Sequence, residues 1–195
     1  LFSVVVPLFF KSSATKLDSQ AFSVVEQSSA PAKIGSQSMG LNDYHTMGWF
    51  LDDSGSIASF NAVSGHVLER RQIFPEQHPS VYSVDPIRGS LAVGFENGSI
   101  VLGEIRFANE FISVEALPEE LIEQFKQATS DNASLEFRNG LIQKVDDSQF
   151  RLQALEVKLN EPLIIENESA ILLIDQTIRP NGLTIAALTE SGQFL

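Results

Sequence analysis

Apolar and polar positions alternate with period two over most of this chain, the period of a strand and not of a helix. The clearest stretch runs from Ser90 to Phe107. Leu91, Val93 and Phe95 alternate going in, Ile100 and Leu102 alternate coming out, and Asn97-Gly98 lies between them. That dipeptide predicts a two-residue type I′ turn, which needs positive φ at both central positions. On this register the second face carries Ala92, Gly94, Val101, Gly103 and Ile105. A hairpin with no polar face is expected to be covered on both sides, as in stacked or sandwiched sheets. Gly94 and Gly103 then mark places where another sheet approaches closely.

The same pattern predicts strands at Met47–Leu51, Ser56–Phe60 and His66–Ile73, a three-strand meander joined by Asp52-Asp53-Ser54-Gly55 and Asn61-Ala62-Val63-Ser64-Gly65. Val81–Val84 opens the next unit. The rhythm breaks between Glu110 and Ser134. There Pro118 at a first helical position, acids after it, and Leu121, Ile122 and Phe125 on one face predict a short inserted amphipathic helix. Strands resume at Leu135–Phe137, Leu141–Val145, Phe150–Leu159, Ala170–Ile174 and Leu183–Thr189.

Acid, small polar residue, Gly, polar, apolar recurs at Asp53-Ser54-Gly55-Ser56-Ile57, Glu96-Asn97-Gly98-Ser99-Ile100 and Glu190-Ser191-Gly192-Gln193-Phe194, with Asn139-Gly140 as a weaker copy. The glycines fall at 55, 98, 140 and 192, at intervals of 43, 42 and 52 residues. A four-stranded propeller blade repeats every ~40–45 residues. The expected fold is therefore all-β with one short inserted helix: antiparallel meander repeats, a WD40-like partial β-propeller. The chain has no Trp-Asp dipeptide, so the repeats are not strict WD40 repeats. An ordinary antiparallel sandwich would show similar hairpins. The expected domain covers 41–195 and breaks off in mid-hairpin. Its last sheet is then open, and self-association through that end is expected.

Before the repeats, Leu1–Phe10 is apolar and uncharged up to Lys11. It is too short to span a bilayer in a helix, which takes about 20 residues. It reads either as a buried strand or as the trailing end of a transmembrane helix. Residues 11–40, rich in Ser and Gln with Ala30-Pro31-Ala32 inside, read as a linker or loosely held strand.

Composition narrows function mostly by exclusion. A net charge of −12 opposes a nucleic-acid role. The chain has no cysteine, so there are no disulfides, thiol catalysis or Cys-based zinc sites. His45, His66 and His78 share no element and no metal-ligand spacing. Asp52-Asp53-Ser54-Gly55 lacks the further acids of a calcium loop and reads as a turn. Ser36-Gln37-Ser38-Met39-Gly40 misses the nucleophile elbow, having Ser where that motif needs Gly. Asn97, Asn132 and Asn167 head glycosylation sequons, and Arg70-Arg71 is a paired basic site that reads as a solvated strand end. No phosphate-cradling glycine loop and no catalytic constellation is written here. The expectation is a protein without catalytic residues, cofactor or metal.

The order of features resembles one family. Val4-Val5-Val6-Pro7-Leu8-Phe9, the stretch Leu91 to Ile105, Leu117-Pro118 and Gln149-Phe150-Arg151-Leu152 are similar to segments of large bacterial phosphate ABC-transporter permease subunits with a periplasmic propeller-like domain. The resemblance implies a non-catalytic, extracytoplasmic accessory domain of a phosphate importer. It would be anchored in the bacterial inner membrane through segments mostly outside this chain. Its partners would be the permease partner, the ATPase and the phosphate-binding protein. The net charge argues against the domain gathering phosphate itself. A stand-alone envelope β-propeller scaffold is the alternative.

Overall fold

The computed structural model describes residues 36–128, 133–164, 169–180 and 182–195. The apolar run 1–10 and most of the expected linker 11–40 lie outside them. The first strand, β1 (Ser36–Leu41), begins ahead of the expected domain start at 41. With β2 (Met47–Asp52), β3 (Ser56–Asn61) and β4 (Val67–Gln72) it forms a four-stranded antiparallel sheet in chain order. The second sheet is built from β5 (Pro79–Val84), β6 (Ser90–Phe95), β7 (Ser99–Ser113), β8 (Ser134–Phe137), β9 (Gly140–Lys144), β10 (Gln149–Leu159) and β11 (Leu163–Ile164). Its order is β5-β6-β7-β10-β9-β8, with β11 beside the start of β7. The hairpin of β12 (Ile171–Arg179) and β13 (Gly182–Thr189) is the third. The fold is all-β and propeller-like: antiparallel meander sheets stacked face to face, with one short helix, α1 (Glu119–Gln127), among the described residues.

The central hairpin is buried on both faces, because its sheet is the middle layer. On one side Leu91, Val93, Phe95, Val101 and Ile105 pack with Trp49, Leu51 and Ile57 of the first sheet. On the other, Ala92 and Ile100 pack with Ile171, Ile174 and Ala187 of the third. Burying a side chain of this kind is worth ~1.5–3 kcal/mol, so these two layers hold the stack. The face assignment of the outgoing strand differs from expectation. Val101 and Ile105 join Leu91, whereas Ile100 and Leu102 join Ala92.

The turn explains the difference. β6 ends at Phe95 and β7 starts at Ser99, so the loop has three residues. Gly98 N–H donates to Phe95 O at 3.1 Å, and Gly98 has φ +79 while Asn97 does not have positive φ. This is a type I turn closed by a glycine bulge, not a type I′ turn. Asn97 Oδ1 caps it, accepting from Ser99 N–H at 3.1 Å and Ser99 Oγ at 2.7 Å. The pairing becomes Gly94↔Ile100 and Val93↔Val101. One residue of register moves a whole strand's side chains to the opposite face.

Gly55 (φ +80) and Gly192 (φ +79) close the same turn on Asp52 O and Thr189 O. Gly140 does not. Arg138 takes the left-handed conformation there (φ +53), while Gly140 lies inside β9 opposite Phe137. It is glycine for another reason: a Cβ would stand 2.1 Å from Gln153 O on β10. The stretch from Gly98 to Gly192 is thus one repeat plus an insert, not two repeats. Gly103 also departs from expectation, since its close neighbour is Lys158 O in the adjacent strand of its own sheet.

The repeat is deeper than its glycines. Each sheet has a register shift in its first strand, between Ser36 and Ser38, Pro79 and Val81, and Ile171 and Leu173. After each shift a row of paired residues crosses the sheet. The rows are Ser38–Leu51–Ile57, Val81–Gly94–Ile100 and Leu173–Leu188–Phe194. Leu51 and Ile57 pack toward the second sheet, and Val81 and Ile100 toward the third.

The insert grows out of one hairpin. β7 and β10 pair continuously from Gly103↔Leu159 to Ser113↔Gln149, far past the edge of the stack. Their outer half is flanked by β9 and β8 and capped by α1. Leu121, Ile122 and Phe125 of the helix pack with Ile112, Ile142, Phe150 and Leu152, a separate small core. Pro118 stands at the helix N-cap, one place before the position expected.

Four substitutions test this register. A Cβ on Gly94 would lie 2.6 Å from Ile171 Cβ, so Gly94→Val is expected to cost about 1–3 kcal/mol in urea unfolding. Gly98→Ala should cost about 1 kcal/mol or more, because φ +79 is a left-handed conformation that Ala resists. The corresponding Gly140→Ala loss would come from collision with Gln153 O, and Arg138→Gly should stabilise instead of rescuing it.

Candidate interaction cleft

Loops β1–β2 and β5–β6 sit at the same end of neighbouring sheets. Both are five-residue loops, 42–46 and 85–89, bridged by the backbone, Asn42 N–H to Met47 O and Asp85 N–H to Ser90 O, each 2.9 Å. In the second, Asp85 Oδ1 accepts from Ile87 N–H (3.0 Å) and Arg88 N–H (3.1 Å). Gly89, at φ +73, presses against β7, with Ile105 N–H donating to Gly89 O at 2.7 Å. The loop is therefore fixed, and it holds Ile87 at 93% exposure. A large apolar side chain presented to water by a rigid loop is the kind of feature that marks a contact surface.

A cleft of about 290 Å³ opens between the two loops and β7, floored by Trp49, Ile105 and Phe107. It adjoins an open hollow of about 420 Å³ lined by Met39, Leu41, His45 and Ile87. Met39, Leu41 and Tyr44 are exposed. The cleft's inner wall is polar. Asn42 Oδ1 accepts from Thr46 N–H (2.9 Å) and Met47 N–H (3.1 Å), and Asn42 Nδ2 donates to Gln153 Oε1. Gln153 Nε2 donates in turn to Asn109 Oδ1 at 3.2 Å. Arg151 stacks on the Tyr44 ring, 4.6 Å from its centroid. These contacts bolt the first sheet's loop to the root of the inserted unit.

The cleft's two guanidiniums are committed. Arg106 donates from Nε to Glu156 Oε2 at 2.7 Å, and that hydrogen bond and charge raise the Arg106 pKa and hold Glu156 below its ordinary value. Arg88 donates to Ile178 O at 3.2 Å. Arg106 is thus paired with a carboxylate, while Arg88 spends one N–H group on a backbone carbonyl. The arrangement suits an apolar side chain from a partner better than a charged small molecule, whose sites enclose most of the ligand.

The histidines stay apart. His45 lines the hollow in a left-handed conformation (φ +55), His78 is exposed ahead of β5, and His66 Nδ1 lies 2.6 Å from Glu136 Oε2. That last contact, with Asn61 Nδ2 on Glu136 and Asn139 Nδ2 on Glu69, forms a second bolt between the first sheet and the insert. Among the described residues no three His, Cys, Asp or Glu side chains gather as a metal site. Asp52 is a turn cap, its Oδ1 accepting from Ser54 N–H (3.0 Å) and Ser56 N–H (2.9 Å). Arg70 lies over the Phe50 ring at 5.2 Å, and Arg71 is 3.6 Å from Glu69. Ser36 and Met39 sit in β1. Asn97 is spent on its turn, and Asn132 and Asn167 lie outside the described residues. Sequence reasoning missed Ile87 and Asn42. The signal available was the shared spacing of Asn42, Asn61 and Asp85, each of which closes a turn on the carbonyl five residues on.

No protein-family model and no curated protein matches the chain. Among solved structures it is similar to the WD40 domain of SCAP from fission yeast, with 11% identity and a TM-score of 0.24, over 85% of this chain. The match spans 40% of that structure's length. At that level the sheets and registers above, and not the likeness, define the fold.

Two measurements test the cleft's construction. Asn42→Ala leaves Gln153 Oε1 and the Thr46 and Met47 amides without the partner Asn42 gives them, and is expected to cost about 1–3 kcal/mol in denaturant unfolding. The Glu156 pKa is lowered first by its hydrogen bond from Arg106 and then by that residue's charge. Its stabilising contribution is complete above the ordinary value of 4.5 and is lost as pH falls through the lowered folded value. Glu156→Gln should flatten this part of the acid limb when unfolding is followed against pH.

Proposed function

We propose that this chain is a non-catalytic protein-interaction module, the extracytoplasmic accessory domain of the permease component of a phosphate ABC importer. On this reading it lies on the periplasmic side of a bacterial inner membrane. The observation that carries the interaction role is Ile87, held out by the Asp85 turn where a polar-walled cleft adjoins an open hollow lined by Met39 and Leu41. A preorganised apolar anchor loses little conformational freedom on binding, which favours affinity. The place in an importer is supported by the resemblance of Leu91 to Ile105, Leu117-Pro118 and Gln149 to Leu152 to the permease family. The partner would be the phosphate-binding protein or the permease partner, docking a side chain between the two loops. On this reading the ligand is a protein and not phosphate, since Arg106 is paired with Glu156 and the chain carries −12.

Biolayer interferometry with the chain immobilised tests this against the phosphate-binding protein and the permease partner. Binding to one of them is expected, weakened at least tenfold by Ile87→Asp and unchanged by Glu123→Lys on the distant helix, a tenfold loss being ~1.4 kcal/mol. Equilibrium dialysis with inorganic phosphate should show no uptake. Binding to neither protein would remove the importer reading, and phosphate uptake would replace the protein-interaction role with ligand sensing.

A further inference from the structure

We propose that the cleft between loops 42–46 and 85–89 binds an extended, proline-containing polypeptide segment, one of whose backbone carbonyls accepts a hydrogen bond from Trp49 Nε1–H. This rests on the interaction role proposed above and names the chemistry of its partner.

The indole is the first argument. Trp49 is 2% exposed, and among the described residues no group accepts from its Nε1–H. A buried tryptophan usually finds an acceptor, because an unmade bond leaves the cost of desolvating the donor uncompensated. Gly40 pairs with Trp49 across β1 and β2, and the indole lies over it: a Cβ there would stand 2.8 Å from Nε1. Trp49 lines the cleft and Gly40 lines the adjoining hollow, so the N–H lies where the two meet. Unlike Ser59 Oγ and Tyr82 Oη, which are enclosed without a partner, it keeps contact with that space. Glycine at position 40 thus lets a core tryptophan bring its one polar atom to the cleft.

The direction of the polar wall is the second argument. Asn42 Oδ1 accepts from two loop amides, Gln153 Oε1 from Asn42 Nδ2, and Asn109 Oδ1 from Gln153 Nε2. All three amide oxygens are spent within the wall. Two donors are left over, Trp49 Nε1–H and the Nδ2 of exposed Asn109, which also has no acceptor among the described residues. A matching ligand supplies acceptors without competing donors. A carbonyl beside proline does this, since proline has no N–H. Tyr44, Trp49 and Phe107 give the cleft an aromatic lining, the surface on which extended proline segments dock at little entropic cost. Asp43 is an exposed carboxylate on the rim and the chain carries −12, so basic residues flank the segment that fits.

Trp49 is the single tryptophan of the chain, so a proton–nitrogen correlation spectrum shows one indole peak that reports on it. The probe is an end-blocked peptide of Ala-Pro-Pro repeats with lysine at both ends, taken to millimolar concentration. It is expected to move the indole peak downfield, saturably, and to slow exchange of the indole proton with water. The same peptide with glycine for every proline, and inorganic phosphate, should leave the peak in place. By fluorescence anisotropy of the labelled proline peptide, Trp49→Phe and Asn109→Ala should each weaken binding about three- to tenfold, and Glu123→Lys should not. Should Trp49→Phe unfold, the indole peak of the unsubstituted chain and Asn109→Ala still decide. An unmoved peak would overturn the proposal, as would an equal response to the glycine peptide, a peak moved by phosphate alone, or full affinity in Trp49→Phe. Interferometry with the importer proteins separates the two readings. A protein that binds through Ile87 while the indole peak stays still overturns this inference and leaves the interaction role standing. A peptide that moves the peak while neither importer protein binds supports the inference and removes the importer reading.

Discussion

Ile171 occupies the space that a side chain at Gly94 would fill, and the order of the stack depends on that contact. A Cβ there would lie within 2.6 Å of two Ile171 carbons and 2.9 Å of Val81 Cγ1. The middle sheet can be approached this closely only because its row has a gap at its centre. Polar contacts then fix the approach. The Ser80 hydroxyl lies 3.0 Å from Gly94 O and 2.7 Å from Ile171 O, and Gln176 Nε2 reaches Ser83 O and Ser90 O. Ser80 sits at the register shift of β5, so the irregularity that offsets the strand also supplies the side chain that reaches the next sheet. The packing is layered, but its specificity comes from one missing side chain and two hydrogen-bonding ones.

Register carries the rest. A pleated strand offers two faces, and a single residue in a turn exchanges them. Leu91, Val93 and Phe95 were legible as one face because they alternate within a strand. Whether Ile100 or Val101 joins them depends on whether the loop holds two residues or three. Asn97-Gly98 suits either, since glycine serves both the second central position of a type I′ turn and the bulge position after a type I turn. The sequence therefore shows a hairpin and its burial on both faces, but not the pairing across it. Gly140 illustrates the same ambiguity. Its neighbour Asn139 makes it look like a turn glycine, while its cause is Gln153 O on a strand thirteen residues further along the chain. Close approach between strands leaves the same mark in a sequence as positive φ.

The insert converts a stack of sheets into something with an asymmetric end. Lengthening β7 and β10 past the stack produces a ribbon that would expose both faces. The two faces are closed differently. One receives α1 and builds a second apolar core, as the pattern of Leu121, Ile122 and Phe125 foretold. The other meets the first sheet's loops through amides and charges, Asn42 with Gln153, Tyr44 with Arg151, and His66 with Glu136. Polar closure leaves the loop ends accessible where an apolar closure would have sealed them. The cleft is what remains between them.

That geometry explains why the cleft was not legible in the sequence while the sheets were. Strands announce themselves by local alternation, but Asn42 and Gln153 are 111 residues apart and neither belongs to a periodic pattern. Ile87, between Pro86 and Arg88, looks like an ordinary loop residue. Only the Asp85 carboxylate under the Ile87 and Arg88 amides, and Gly89 pressed against Ile105 O, turn it outward and keep it there. Finding the surface then required knowing which loops share an end. That follows from the register shifts and rows that repeat across the three sheets, and these are properties of paired strands that no single strand displays.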